Sequence, residues 1–222
     1  MELKIIAKIY NGFSEKFGIP RQSGMTDAES VIVFEPEYRN ADALRGLEEY
    51  SHLWLLWYFS EFDRGEWYPT VRPPRRGGNK RMGVFATRSP NRPNPIGLSV
   101  VKIKKIELAS DQGPRIIVSG ADLLSGTPIF DIKPYLSYVD ALPQASDGFA
   151  GQRMNYRLNV EIDPKLKDLL SAQEYSIVTQ LLAQDPRPAY QKDANRVYAM
   201  TYGNKTIRFT VCEDKLTVVE IK

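Results

Sequence analysis

The chain predicts a mostly β N-terminal domain, a closed barrel or sandwich, followed by a small α+β domain. Three observations carry this. Short apolar runs divided by turn residues fill residues 1–135, and the run LWLLWYF at 53–59 is apolar on both faces, as a strand inside a closed β structure is. Around residues 142–151 the composition turns small and polar, as a linker does. Beyond that lie a capped helical pattern and three strand-like runs separated by tight turns.

Taken in order, the strand candidates of the first domain are 3–10, 30–35, 52–59, 82–87, 97–108 and 115–120, with the turn SDQGP at 110–114 joining the last two as a hairpin. A short helix is expected over 40–46, with Asn40 as N-cap and Gly46 as terminator. In the second domain a strand is expected at 156–162. One helix follows, capped by Asp163, with Pro164 in its first turn and Leu166, Leu169, Leu170, Ile177, Val178, Leu181 and Leu182 on its apolar face. Strands at 196–202, 206–212 and 215–221 complete a meander. The expected domains are 1–143 and 152–222.

Composition narrows the chemistry. Of 222 residues, 42% are hydrophobic and 26% charged, values of an ordinary globular protein. Cys212 is the single cysteine and His52 the single histidine, which excludes an intrachain disulfide, a thiolate metal cluster and a histidine-rich zinc site. No secretory signal is evident, and the longest apolar run has seven residues, so a cytoplasmic protein without a membrane span is expected. Neither a G-x-G-x-x-G after a strand nor a Walker-type phosphate loop occurs, which argues against a doubly wound nucleotide fold.

Positive charge is local. Net charge is +3, yet residues 71–95 hold seven Arg/Lys, five Pro, three Gly and no acid. Either this is a stiff, solvated loop or it is a surface for a polyanion. Within it, Arg88 and Arg92 offer forked donors to carboxylate or phosphate, and Asn91 and Asn94 offer amides that can read a base edge. In ADLLSGTPIFDIKPY (121–135), alternation puts Asp131, Lys133 and Tyr135 on one face of an extended segment, as a ligand-contacting set or as a surface ion pair. His52 adjoins the apolar strand, where a hydrogen-bonded structural role competes with acid/base work. In DPRPAY (185–190), Arg187 and Tyr190 are either part of a helix stop or a phosphate and stacking contact.

Together PRQ (20–22), RGLEEYSHLW (45–54), PTVRPPRRGGN (69–79), GVFATRSPNRPNPIGLS (83–99), DLLSGTPIFDIKPY (122–135) and AQDPRPAY (183–190) resemble the TsaA-like/TrmO family of S-adenosylmethionine-dependent tRNA methyltransferases in its two-domain bacterial form. The resemblance implies a single antiparallel β-barrel, a homodimer, and N6-methylation of N6-threonylcarbamoyladenosine at position 37 of threonine tRNA. It places cofactor contacts on Pro20, Arg21, Gln22, His52, Leu53, Arg88, Leu98, Asp122, Leu123, Leu124 and Ser125. Arg92, Asn94, Arg187 and Tyr190 are then tRNA candidates, and Arg72, Arg75, Arg76, Lys80 and Arg81 face the backbone of the anticodon stem-loop. Asp131, Lys133 and Tyr135 form the candidate catalytic set. Asp131 takes the acceptor proton, with His52 as the alternative base, and Arg92 or Lys133 pairs with the threonyl carboxylate. No metal is called for.

Two rival readings make different demands. A non-catalytic tRNA-binding protein binds tRNA in a salt-sensitive manner but not the cofactor. A small-molecule methyltransferase binds the cofactor without needing tRNA, and leaves the basic run unexplained.

Overall fold

β-branched and aromatic runs in the first half form eight strands: β1 (Ala7–Asn11), β2 (Glu29–Phe34), β3 (His52–Tyr58), β4 (Thr70–Val71), β5 (Met82–Gly83), β6 (Ile96–Glu107), β7 (Arg115–Ser119) and β8 (Thr127–Pro134). The computed structural model describes residues 2–62, 65–73, 81–151, 156–188, 191 and 193–222. Six of these strands close into a barrel in the order β1-β2-β7-β6-β3-β8, every ladder antiparallel. Closure pairs the edges that an open sheet would leave free. β4 and β5 form a separate two-stranded ribbon.

The barrel interior is built by alternation. On β3, Leu53, Leu55 and Trp57 are buried, while His52, Trp54, Leu56 and Tyr58 point outward and are half-buried. Ile9, Ile32, Ile116, Val118 and Ile129 fill the same core from the other strands. Outside, Trp54 Nε1 donates to Asp140 Oδ2 at 2.9 Å, fixing the short helix α1 (Ser137–Asp140) against the barrel wall.

Several elements differ from expectation. The first strand starts at Ala7 rather than at residue 3. Residues 40–46 form a 3-10 turn, Ala41–Leu44, because the Asn40 side chain accepts from the Asp42 amide and Gly46 then enters the left-handed region at φ 83°. Of the strand expected over 82–87, only Met82–Gly83 pairs. The chain then tightens into a 3-10 turn, Val84–Ala86, anchored by buried Val84. The extended segment expected around 131–135 is the later part of a longer strand, β8, that begins at Thr127. Its ladders with β1 and β3 close the barrel.

The second half contains β9 (Asn159–Ile162), α2 (Pro164–Lys167), α3 (Ala172–Ala183), β10 (Tyr198–Tyr202), β11 (Lys205–Cys212) and β12 (Lys215–Ile221). The expected single helix is two. Asp163 caps α2, and Ser171 starts α3 afresh with a capping box, its hydroxyl accepting from the Glu174 amide while the Glu174 carboxylate accepts from the Ser171 amide. That break leaves Leu169 exposed. β10, β11 and β12 form the meander, and β9 pairs in parallel with β12 at its edge.

A second core lies between α3 and this sheet, with Ile177, Val178, Leu181 and Leu182 against Met200, Ile207, Phe209, Val211 and Val218. Phe13 and Ala28 belong to it although they come from the first half of the chain, with Phe17 and Ile19 packed at its margin. Full burial of Phe13 contributes about 2–3 kcal/mol to the attachment between the halves.

Candidate functional site

At the end of the barrel where β3 and β7 finish and β6 and β8 begin, a cavity of about 440 Å³ opens. That volume suits a nucleoside-sized ligand. Trp57, Phe59, Leu98 and Leu124 give it apolar walls; Pro20, Arg21 and Gln22 line one side and Thr87, Arg88 and Arg92 another.

The floor depends on one glycine. A Cβ on Gly97 would sit 2.2 Å from the Trp57 indole, so only glycine lets that ring lie flat across β6. Thus placed, Trp57 Nε1 donates to Ser99 Oγ at 3.0 Å, and the Ser99 hydroxyl donates to Asp122 Oδ1 at 2.6 Å. Burial pushes the Asp122 carboxyl above its ordinary value, opposed by the Ser99 hydrogen bond and the nearby Arg88 charge. A partly desolvated carboxyl therefore faces the cavity across from a guanidinium.

The cationic side chains have distinct attachments. Arg88 is exposed and donates to the Gln22 side-chain carbonyl, tying the two cavity loops together. Arg92 donates to the backbone carbonyls of Val84 at 3.1 Å and Thr87 at 2.7 Å, and so holds its own loop in shape. Arg21 reaches the other way and donates to the carbonyls of Gln184 and Asp185 at the carboxyl end of α3, where helix carbonyls lack partners. Pro20 is buried beside it.

Of the cofactor candidates, Pro20, Arg21, Gln22, Arg88, Leu98, Asp122 and Leu124 surround this cavity, as does Arg92. Leu123 is buried in the barrel core. Ser125 is spent on β1, its Oγ accepting from the Asn11 amide at 3.2 Å. His52 starts β3, at the opposite end of the strand from Trp57, and its Nδ1 lies 2.8 Å from Ser51 Oγ. Leu53 points into the barrel core.

Asp131, Lys133 and Tyr135 are not brought to the cavity of their own chain. Asp131 and Lys133 pair at 2.8 Å on the outer barrel face, opposite Leu56 and Trp54, and the Asp131 hydrogen bond and charge hold the Lys133 ammonium above its ordinary value. The Tyr135 ring lies 6.2 Å from His52 and 5.7 Å from Trp54.

Among the tRNA candidates, Arg72, Arg81 and Asn94 are exposed, with Arg81 Nε donating to Thr70 Oγ1 at 2.8 Å. Arg187 is held by Asp185 at 2.8 Å, its side chain only 11% exposed, so its guanidinium is already committed. Arg75, Arg76, Lys80 and Tyr190 lie outside the described residues. Sequence reasoning missed Gly97, Ser99 and Thr87, and read the run 53–59, Trp57 and Phe59 included, only as an interior strand. Gly97 facing an aromatic residue on the adjoining strand was the available signal.

Among the described residues no helix is long and apolar enough to cross a membrane, and no group of three or more His, Cys, Asp or Glu is placed to hold a metal.

The family models named tRNA-methyltransferase O N-terminal domain and TrmO C-terminal domain match residues 8–141 and 155–222. The chain is 42% identical over 217 residues to the Escherichia coli tRNA (adenine(37)-N6)-methyltransferase, covering 94% of this chain and 92% of that protein. It is 36% identical over 144 residues to a probable S-adenosyl-L-methionine-binding protein of Methanothermobacter thermautotrophicus, covering 64% of this chain and 96% of that one. The crystal structure of TrmO from Pseudomonas aeruginosa superposes with a TM-score of 0.78 at 31% identity, covering all of this chain and 98% of that one. Both halves of the chain match the models of one lineage: the chain belongs to the TrmO family of tRNA methyltransferases.

Proposed function

We propose that this protein transfers a methyl group from S-adenosylmethionine to N6 of adenosine 37 in tRNA, working on the threonylcarbamoylated nucleoside of threonine tRNA. One observation carries the reading. A chain of this family, matching a tRNA (adenine(37)-N6)-methyltransferase along nearly its whole length, has a nucleoside-sized cavity lined by a guanidinium, a partly desolvated carboxyl and aromatic walls.

The lining fits the cofactor. Arg88 matches the methionine carboxylate, the Trp57, Phe59 and Leu98 surfaces match the adenine, and Asp122 offers an acceptor to an amino or hydroxyl group. S-adenosylmethionine supplies an electrophilic methyl group carried on a sulfonium. The chain's own work is placement: Arg88 and Gln22 fix the two loops, the aromatic walls exclude water, and Arg92 stiffens the loop that faces the incoming nucleoside.

The acceptor nitrogen must lose a proton, and its carbamoyl substituent makes that proton more acidic than in plain adenosine. We assign the proton to Asp131 and the threonyl carboxylate to Lys133 or Arg92, in a homodimer. Support comes from the outer barrel face formed by β6, β3 and β8. Leu56, Trp54 and Val100 lie on it, and Ile96 and Leu98, which also line the cavity, are exposed there, Leu98 by 51%. With a second copy seated on this apolar face, Asp131 and Lys133 of one copy serve the cavity of the other. The barrel, residues 1–143, is then the methyltransferase unit. The cationic segment around Arg72 and Arg81 and the unit 152–222 contact the anticodon stem-loop, in the cytoplasm.

Purified protein, labelled S-adenosylmethionine and threonine tRNA with or without threonylcarbamoylation test the activity, read by nucleoside mass spectrometry. A methyl on the modified adenosine is expected, and no transfer to either tRNA overturns the reading. Mixing Asp131→Ala with Arg88→Ala protein at limiting S-adenosylmethionine tests the shared site: each is nearly inactive alone under that condition, and the mixture regains activity. A mixture as dead as its components refutes the exchange between copies.

A further inference from the structure

Beside the cavity, two large aromatic residues stand in solvent. Phe85 is 72% exposed and Trp67 48% exposed, their ring planes 22° apart with centroids separated by 6.4 Å. Their loops are joined through the backbone: the Val84 amide donates to the Pro69 carbonyl at 3.0 Å, and the Tyr68 amide to Asn91 O at 3.4 Å. Buried Val84, next to Phe85, anchors the turn. Arg92 lies over the Phe85 ring at 5.6 Å, and the same Arg92 lines the cavity. The aromatic pair thus faces outward from two loops tied by backbone hydrogen bonds, and one shared side chain links it to the cavity rim.

Folding alone does not account for this arrangement. Neither ring contributes to either core, and exposing so much aromatic surface opposes solubility. Stacked, solvent-facing rings next to a guanidinium are what an unpaired nucleobase stacks on, since every base presents a π-face. A target adenosine brought to the mouth of the cavity carries its neighbours to the rim, because adjacent nucleotides are separated by a single phosphodiester.

We propose that Trp67 and Phe85 form a stacking platform for an unpaired anticodon-loop base directly flanking the target adenosine. The platform rests on the tRNA methyltransferase reading and adds to it a second base-binding site, outside the methyl-transfer cavity. It holds the loop with the target splayed out, so it acts on tRNA affinity and leaves cofactor affinity alone.

The test compares wild type, Phe85→Ala, Trp67→Ala and Phe85→Tyr, on intact tRNA and on tRNA made abasic at either nucleotide flanking the target. Phe85→Ala and Trp67→Ala should raise KM for intact tRNA on the order of 10-fold, the size of one lost base stack. Affinity for S-adenosylmethionine and the oligomeric state should not move, and Phe85→Tyr should stay near wild type. One of the two abasic substrates should raise the wild-type KM to the same extent and add little further in Phe85→Ala. Equal KM for wild type and Phe85→Ala, fully additive effects of variant and abasic site, or dissociation of the oligomer in Phe85→Ala would each overturn the platform. Methylation of intact tRNA by wild type separates these outcomes from failure of the activity itself.

Discussion

The Arg21 guanidinium donates to the backbone carbonyls of both Gln184 and Asp185, so a residue of the cavity wall caps the carboxyl end of α3. Arg21→Ala leaves those carbonyls without their cation. Losing hydrogen bonds to a charged group costs about 1.5–3 kcal/mol, seen as a lower urea midpoint, while calorimetry gives near wild-type cofactor affinity. Lost affinity at unchanged stability would instead make Arg21 a direct cofactor ligand.

Gly97→Ala places a methyl group 2.2 Å from the Trp57 ring. The indole must move, carrying its hydrogen bond to Ser99 with it. Overpacking of this kind costs about 1–3 kcal/mol, and cofactor binding should fall more than stability does. Thermal denaturation read beside a binding titration checks both.

Asp122 holds its proton more tightly in the fold than in the unfolded chain, because burial disfavours its charge. Such a group supports folding most below the unfolded value of about 3.9, and that support is lost as pH rises through the higher folded value. Asp122→Asn has no such loss. Its melting temperature relative to wild type should therefore climb from acid to neutral pH, whereas a constant difference would show that Asp122 titrates as it does unfolded.

Arg88→Ala removes the guanidinium nearest Asp122 and the clasp on Gln22. Calorimetry should show cofactor affinity weakened by about 10- to 100-fold, the loss of a charge-assisted contact. Unchanged affinity would move the methionine carboxylate elsewhere.

Phosphate contacts of Arg72 and Arg81 should register in salt. Each contributes about −0.7 to the log–log slope for single-stranded nucleic acid. Joint replacement by alanine should flatten the slope of tRNA affinity accordingly, and a slope equal to wild type would free both residues from backbone contact.

Much of the architecture was legible because hydrophobic period and turn chemistry agree in it. The doubly apolar run at 53–59 marked the strand that sits between β6 and β8, and Pro164 marked a helix start. The full extent of β8 escaped because Pro128 and Pro134 argue against a strand, yet both stand near its ends, where the ladder tolerates them. The helix break escaped because Leu169 and Leu170 keep the apolar period running through it, and only the Ser171–Glu174 capping box reveals a new start. Around the cavity, the arginine spacing in 88–92 stood out as chemistry, whereas Asp122 entered only through the family resemblance. Ser99 and Gly97 did not stand out, since their meaning depends on where the Trp57 ring lies across the adjoining strand.

Phe13, made early, is 1% exposed in a core completed by α3 and the last three strands. At about 5–20 residues per second, the ribosome adds the final 70 or so residues over roughly 4–15 s. Through that interval the barrel can close and Arg88 can clasp Gln22, but Phe13, Phe17 and Ile19 lack the core they pack into and Arg21 lacks its helix-end carbonyls. The 20–22 side of the cavity therefore gains its anchor only once α3 is made, and a half-made chain is a barrel with one wall of its mouth unsupported.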